Sequence, residues 1–243
     1  MYRGLEMQIP VIQYHKIDKP GPGVLVRGGF TPPARFARQM TYLIKRGCIF
    51  YTASELIDIY RENNKFPKNG IAVTFDDGWK DNFTNAFPVL KRLGIKATMF
   101  IVPSCIGEVS SKAMAEGETE REHVSLENIL EMSAAGIEFG SHTVNHLLLD
   151  RIPQSEVEFE VFESKRQIED IVQQPCRTFA YPAGYYDEAS KQAIEKAGYI
   201  AAFSTTYGPS DPIDLFALNR TEIYRRDRFL FQFAKRIKPI STL

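Results

Sequence analysis

In TFDDGWKDN, Thr74 to Asn82, two carboxylates stand side by side directly after the apolar run Ile71-Ala72-Val73. Adjacent anions repel, so the pair asks for a cation, a proton, or nothing more than a turn. Asp-Gly between apolar runs is also a hairpin signal. The residues that follow argue otherwise: Phe83, Ala86, Phe87, Leu90 and Leu93 recur at helical spacing. A strand therefore runs into a helix, and Asp76-Asp77 falls at the C-terminal end of a strand, where parallel α/β folds carry their active sites. The second cluster is GSHTVNH, Gly140 to His146, again just after an apolar run. His142 and His146, spaced i, i+4, can reach one cation, and they are two of only four histidines in the chain. With one carboxylate of the Asp pair they make a His, His, Asp set that leaves a position for water, the open pattern of a catalytic zinc site. One aspartate then ligates while the other faces the bound water. A divalent ion lowers the pKa of that water towards ~7, so the second carboxylate can take its proton near neutrality.

Elements that could hold these groups are visible along the whole chain. Amphipathic helix, glycine and short apolar strand recur in MTYLIKRGCIF, PVLKRLGIKATMFIV, ILEMSAAGIEFGSH and AIEKAGYIAAFS, with Gly47, Gly94, Gly136 and Gly198 at the helix C′ position. A further helix over 153–172 leads into the strand CRTFAYP. Thr31, Ser54, Ser125 and Asp187 read as N-caps. This alternation in 243 residues predicts one α/β domain, residues 1–243, built as a closed or distorted (β/α) barrel with mostly parallel strands; an open doubly wound sheet is the alternative. Residues 104–124, polar and without periodicity, read as a long surface loop, either a lid or a mobile segment.

Composition narrows the partners. The 30 basic and 30 acidic side chains cancel, which disfavours nucleic acid and anionic membrane surfaces. Cys48, Cys105 and Cys176 lack C-x-x-C spacing and read as buried thiols. No stretch has the length of a membrane span and the N-terminal residues do not form a signal segment, so the chain as given is expected to be cytoplasmic, although one trimmed of its export signal would look the same.

Taken together, TFDDG, SHTVNH and RTFAYPAGYYDE resemble the first three motifs of the polysaccharide deacetylases, the NodB-homology or carbohydrate esterase family 4 proteins, over roughly residues 9–225. The resemblance implies a distorted (β/α) barrel that hydrolyses N-acetyl groups of amino-sugar oligomers or polymers with one divalent ion, zinc first, with cobalt, nickel or manganese as alternatives. On the family pattern Asp76 is the general base, Asp77, His142 and His146 are the metal ligands, and the N–H of Ala183 stabilises the oxyanion. The motif arginine that orients the base is absent, since Ala180 stands there. Arg220 is a candidate for its place, a surface ion pair being the alternative. The late general-acid histidine is also absent, because no histidine follows His146. Tyr14-His15, at the end of the first apolar strand, resembles the rearranged subgroup that deacetylates poly-N-acetylglucosamine, which makes His15 the candidate acid. His123 reads as a solvated loop residue.

Trp79, Tyr181, Pro182 and Tyr185 or Tyr186 are candidates for the sugar-binding groove, with ordinary packing or a strand-to-helix turn as the bland alternative. Other functions remain open on sequence: a metal-dependent hydrolase of another C–N bond in a small amide, cyclic imide or formamido sugar, an inactive carbohydrate-binding homologue, or a glycosidase using Asp76 with Glu138.

Overall fold

A computed structural model of the chain describes residues 9–25, 27–110, 120–206 and 212–237. Its strands are β1 (Val11–Tyr14), β2 (Ile49–Tyr51), β3 (Gly70–Phe75), β4 (Thr98–Ile101), β5 (Glu138–Ser141), β6 (Thr178–Ala180), β7 (Ala201–Phe203) and β8 (Thr221–Glu222). The helices are α1 (Pro33–Lys45), α2 (Ala53–Asn63), α3 (Phe87–Leu93), α4 (Leu126–Ala134), α5 (Gln154–Val172), α6 (Glu188–Lys196) and α7 (Leu230–Ile237). The strands form one parallel sheet in the order β7-β6-β5-β4-β3-β1-β8, with β2 paired to the lower half of β3. The sheet curls into a half-barrel, the distorted (β/α) barrel expected from the helix–glycine–strand repeat. Between β7 and β8 the chain itself crosses the gap. Ala202 donates to Leu215 O, Leu218 to Ala202 O, and Ser204 to Leu218 O, at 2.8 to 3.0 Å. Residues 215–220 thus run along β7 before entering β8 beside β1.

Strand alternation sorts the side chains. Ile12, Tyr14, Ile71, Val73, Phe75, Met99, Ile101, Phe139 and Phe179 face the helices and form the main apolar core. Val11, Ala72, Phe100, Ala180, Ala201 and Phe203 face the interior, which α2 closes with Leu56 and Ile57. Carried one step past the strand ends, the inward set continues to His15, Asp76 and His142. The same period that builds the core therefore brings the chemistry to one end of the barrel.

Local signals explain the element boundaries. All four glycines of the recurring phrase carry positive φ, and Ser125 and Asp187 accept from the backbone N–H groups of Asn128 and Ser190 in capping boxes. Two expected caps are displaced. Thr52, not Ser54, caps α2, because its hydroxyl accepts from Glu55 N while the Glu55 carboxylate accepts from Thr52 N. Pro32 occupies the cap position of α1, and Thr31 is buried beside it. Of the expected loop 104–124, residues 111–119 lie outside the described residues; the flanks meet at a bridge between Val109 and Glu122. Cys176 is buried, as expected, while Cys48 and Cys105 are half-buried.

One interior glycine is required by contact. A Cβ on Gly140 would lie 2.5 Å from the Phe100 ring and 2.9 Å from Thr178 O. Gly140→Ala is therefore expected to cost about 1–3 kcal/mol through overpacking. Thermal unfolding checks it, and an unchanged Tm would mean that the Phe100 ring yields.

Candidate active site

Asp76 immediately follows β3 and is fully enclosed. Arg220 grips it bidentately, Nη1 to Oδ1 at 2.8 Å and Nη2 to Oδ2 at 2.7 Å, and Gln13 Nε2 adds a third donor to Oδ2 at 2.7 Å. The arginine is itself fixed by Ser204 O, by Thr74 Oγ1 and by the Phe100 ring, whose centroid is 5.4 Å from its guanidinium carbon. At 1% exposure Arg220 is not a surface residue, and the surface ion-pair alternative is overturned. Burial works to raise the Asp76 pKa, but the charges of Arg220 and His142 outweigh it and hold the group below the ordinary carboxylate range. Oδ1 receives a single side-chain donor, which leaves it capacity for a proton from water.

Asp77 points the other way along the strand end. Its Oδ1 lies 3.5 Å from His142 Nε2 and 3.4 Å from His146 Nε2. Among the described residues this trio is the group whose ligand atoms, all within 4.8 Å of one another, could hold a metal ion. For a tetrahedral ion with bonds near 2.0–2.1 Å, ligand atoms sit roughly 3.3–3.4 Å apart, close to both Asp77 edges. His142 Nδ1 lies 2.7 Å from Ala180 O, which fixes the ring so that Nε2 faces Asp77, as the outer carbonyl of a metal-bound histidine does. Burial opposes ionisation of Asp77, yet the two facing imidazoles keep its pKa well below the usual range. Asp77 and His146 both carry left-handed backbone, φ 72° and 57°, conformations that cost energy for side chains other than glycine and cluster at working sites.

His15, one step past β1, faces Glu222, with Nδ1 and Oε1 3.8 Å apart. Burial, together with a hydrogen bond to Glu222, pushes the Tyr224 hydroxyl up to about 12. Ala183 sits at φ 52° in the tight turn Pro182–Gly184. A Cβ on Gly184 would meet Thr205 Oγ1 at 2.2 Å, and Thr205 Oγ1 donates to Ala183 O, so this turn is held against the segment after β7.

The aromatic candidates divide. Tyr185 is 49% exposed, and Tyr186 is also at the surface. Tyr181 is buried, with its hydroxyl on Phe216 O, because the alternation of β6 turns it towards the helices with Phe179. Pro182 is buried beneath the turn. Trp79 is only 7% exposed and stacks on His123 at 4.4 Å, which fits the packing alternative better than the groove-lining one, and His123 is buried where a solvated residue was expected. Glu138 begins β5, where it accepts from Thr98 Oγ1 and Ser54 N. Asp76 is held instead by Arg220 and Gln13, so the two acids share no partner and the geometry lends the Asp76/Glu138 glycosidase pair no support. Gln13 and Glu222 were not anticipated. A polar residue at an inward position of the strand VIQY, and an acid at the end of TEI beside it, were the available signals.

The polysaccharide deacetylase family pattern matches residues 63–202, more than half of the chain. The chain belongs to that family. The Bacillus subtilis protein YxkH, which carries a polysaccharide deacetylase name, is 30% identical over 217 residues, 89% of this chain and 71% of its own. The poly-beta-1,6-N-acetyl-D-glucosamine N-deacetylase of Staphylococcus aureus is 27% identical over 180 residues, 70% of this chain and 59% of that enzyme. The chain thus spans less than two thirds of the staphylococcal relative. The Streptococcus pyogenes deacetylase PplD, solved in complex with acetate, superposes with TM-score 0.80 at 25% identity over 95% of this chain and 98% of that one. As a polysaccharide deacetylase, the chain is a hydrolase of N-acetyl amide bonds. Gln13, His15, Arg220 and Glu222 all lie outside the matched span of the family pattern. These groups lie in β1 and β8 or directly beside them.

Proposed function

We propose that this single domain is a metal-dependent N-deacetylase of N-acetylglucosamine-type oligo- or polysaccharides. The observation that carries the reading is the adjacency of two differently committed aspartates: Asp76 held by Arg220 and Gln13, Asp77 by the facing histidines. The naming of the staphylococcal relative for poly-N-acetylglucosamine and the acetate in PplD favour this substrate class over a small amide or an inactive binding homologue.

Asp77, His142 and His146 would hold one divalent ion, with zinc best suited to two imidazoles and a carboxylate. When bound, such an ion polarises the acetyl carbonyl and acidifies water. Asp76 Oδ1 accepts the proton of the attacking water, whose oxygen bonds to the acetyl carbon. The Ala183 N–H is the candidate donor to the oxygen that gains charge. As the C–N bond breaks, His15 gives its proton to the leaving amine, with Glu222 Oε1 3.8 Å from its Nδ1. Acetate and a free amino sugar result. The exposed Tyr185, with Arg151 stacked at 5.2 Å, is the aromatic candidate for a sugar face.

Acetate release from β-1,6-linked N-acetylglucosamine oligomers, before and after chelation and with zinc restored, tests the reading. Release that chelation abolishes and zinc restores is expected; zinc-loaded protein inert on every acetylated oligomer would redirect the function to a small amide. His15→Ala should lower turnover about 10²–10⁴-fold, the usual worth of a general acid, while leaving metal content intact. An unaffected rate would make His15 a structural residue.

A further inference from the structure

The geometry points to Trp79 and His123 as the outer support of the metal site: the indole fixes which Asp77 oxygen can ligate, and the His123 stack ties metal affinity to the seating of residues 121–124. This inference rests on Asp77, His142 and His146 holding a divalent ion.

Asp77 uses its two oxygens differently. Oδ1 faces both imidazoles, and Oδ2 accepts from Trp79 Nε1 at 2.8 Å. Indole N–H is a donor only and cannot itself bind a cation, so it fixes Oδ2 outside the ligand position and leaves Oδ1 to a monodentate bond. Hydrogen bonds of this kind orient ligands and tune their strength. Asp77 carries left-handed backbone, which persists only where the surroundings hold it, and the indole bond is one such contact.

The indole is in turn held from several sides. The His123 ring stacks on it with an interplanar angle of 24°, and Lys16 Nζ lies 4.4 Å from its centroid. His123 is kept in place by its backbone N–H on Glu108 O at 3.0 Å, with Nδ1 3.3 Å from the same oxygen. On either side of the Trp79–His123 bridge, Lys80 N donates to Glu122 O and Val124 N to Gly78 O, both at 2.9 Å. Side chains repeat the clamp: Lys80 pairs with Glu122, and Arg121 with Asp18 and Asp81. Residues 121–124 therefore seat Trp79, and Trp79 aims Asp77. A sugar-stacking residue would present its face to solvent; this one is covered, and its single polar atom is spent on a ligand.

Trp79 is the one tryptophan in the sequence, so intrinsic emission reports on this contact. The test is titration of chelator-stripped protein with zinc, read by competition with a chromophoric chelator and by tryptophan emission. Wild-type emission is expected to change with the same midpoint as zinc uptake. Trp79→Phe keeps a ring for the stack and removes the donor, and should weaken zinc affinity about 10–100-fold, the usual cost of losing an outer partner. His123→Leu retains the indole donor and loosens its seat, and should weaken affinity in the same direction by less. Metal-free unfolding midpoints of the variants serve as the control, since a merely structural role would lower those and leave zinc affinity unchanged. Wild-type affinity in Trp79→Phe, or emission indifferent to zinc while zinc binds, would overturn the inference alone. Failure of the wild-type protein to bind zinc would overturn the metal reading and this inference with it.

Discussion

Arg220→Met should destabilise the protein by about 3–5 kcal/mol, because it strands the Asp76 carboxylate in a buried site with Gln13 as its remaining strong donor. Unfolding by urea measures the loss. Removing both partners, in Asp76→Asn with Arg220→Met, should recover much of it, since no uncompensated charge then remains. Equal instability of the single and double variants would mean that Arg220 acts through its contacts with Phe100 and Ser204 instead. The pH dependence carries a definite sign. In the wild type the Asp76 pKa is lowered, burial opposing and Arg220 prevailing. Such a carboxylate stabilises the fold above its unfolded pKa and loses that contribution as pH falls through the folded value. The gap between wild type and Arg220→Met should therefore narrow on acidification. In Arg220→Met burial acts with less opposition, so the acidic limb of turnover should move to higher pH.

The second large effect separates the two aspartates. Asp77→Ala removes the oxygen that both imidazoles face, and zinc affinity should fall by more than the roughly 100-fold that loss of an outer partner can cost. Asp76→Asn should leave zinc bound and lower turnover about 10²–10⁴-fold, the range for losing a general base. Zinc content by elemental analysis and acetate release are to be measured on the same preparations. Equal metal loss in both variants would overturn the division of labour, because it would place Asp76 among the ligands.

Much of this site was legible because strand alternation and motif order are local. TFDDG and SHTVNH each place their polar groups one step past an apolar strand, and the period of two turns Asp76 and His142 inward. Arg220 could be named a candidate but not placed, since its partner lies 144 residues away and nothing local distinguishes a buried arginine from an exposed one. Trp79 stayed undecided for a related reason. An aromatic residue beside a catalytic motif suits a sugar face as well as ordinary packing, and the cover it receives comes from His123, which the sequence places far from it. The α2 cap was legible as Thr-x-x-Glu, Thr52 to Glu55, and the nearer Ser-Glu pair obscured it. Glu138 illustrates the opposite hazard: its chemistry suited catalysis, and its position as the first residue of β5 did not.

The path of residues 215–222 along β7 and into the sheet beside β1 bears on how the protein folds. Synthesis delivers the β3 carboxylate long before the arginine that balances it, and contacts across so much chain form late and slowly. Until Arg220 is in place, a desolvated Asp76 carboxylate would be uncompensated, so a protonated or hydrated form is favoured. Docking of the last strand relieves that penalty and excludes the water in one step. Refolding should therefore show helix content returning early, while acetate-releasing activity recovers only with the slowest tertiary phase, since the reacting groups are brought together by the same event that completes the barrel wall.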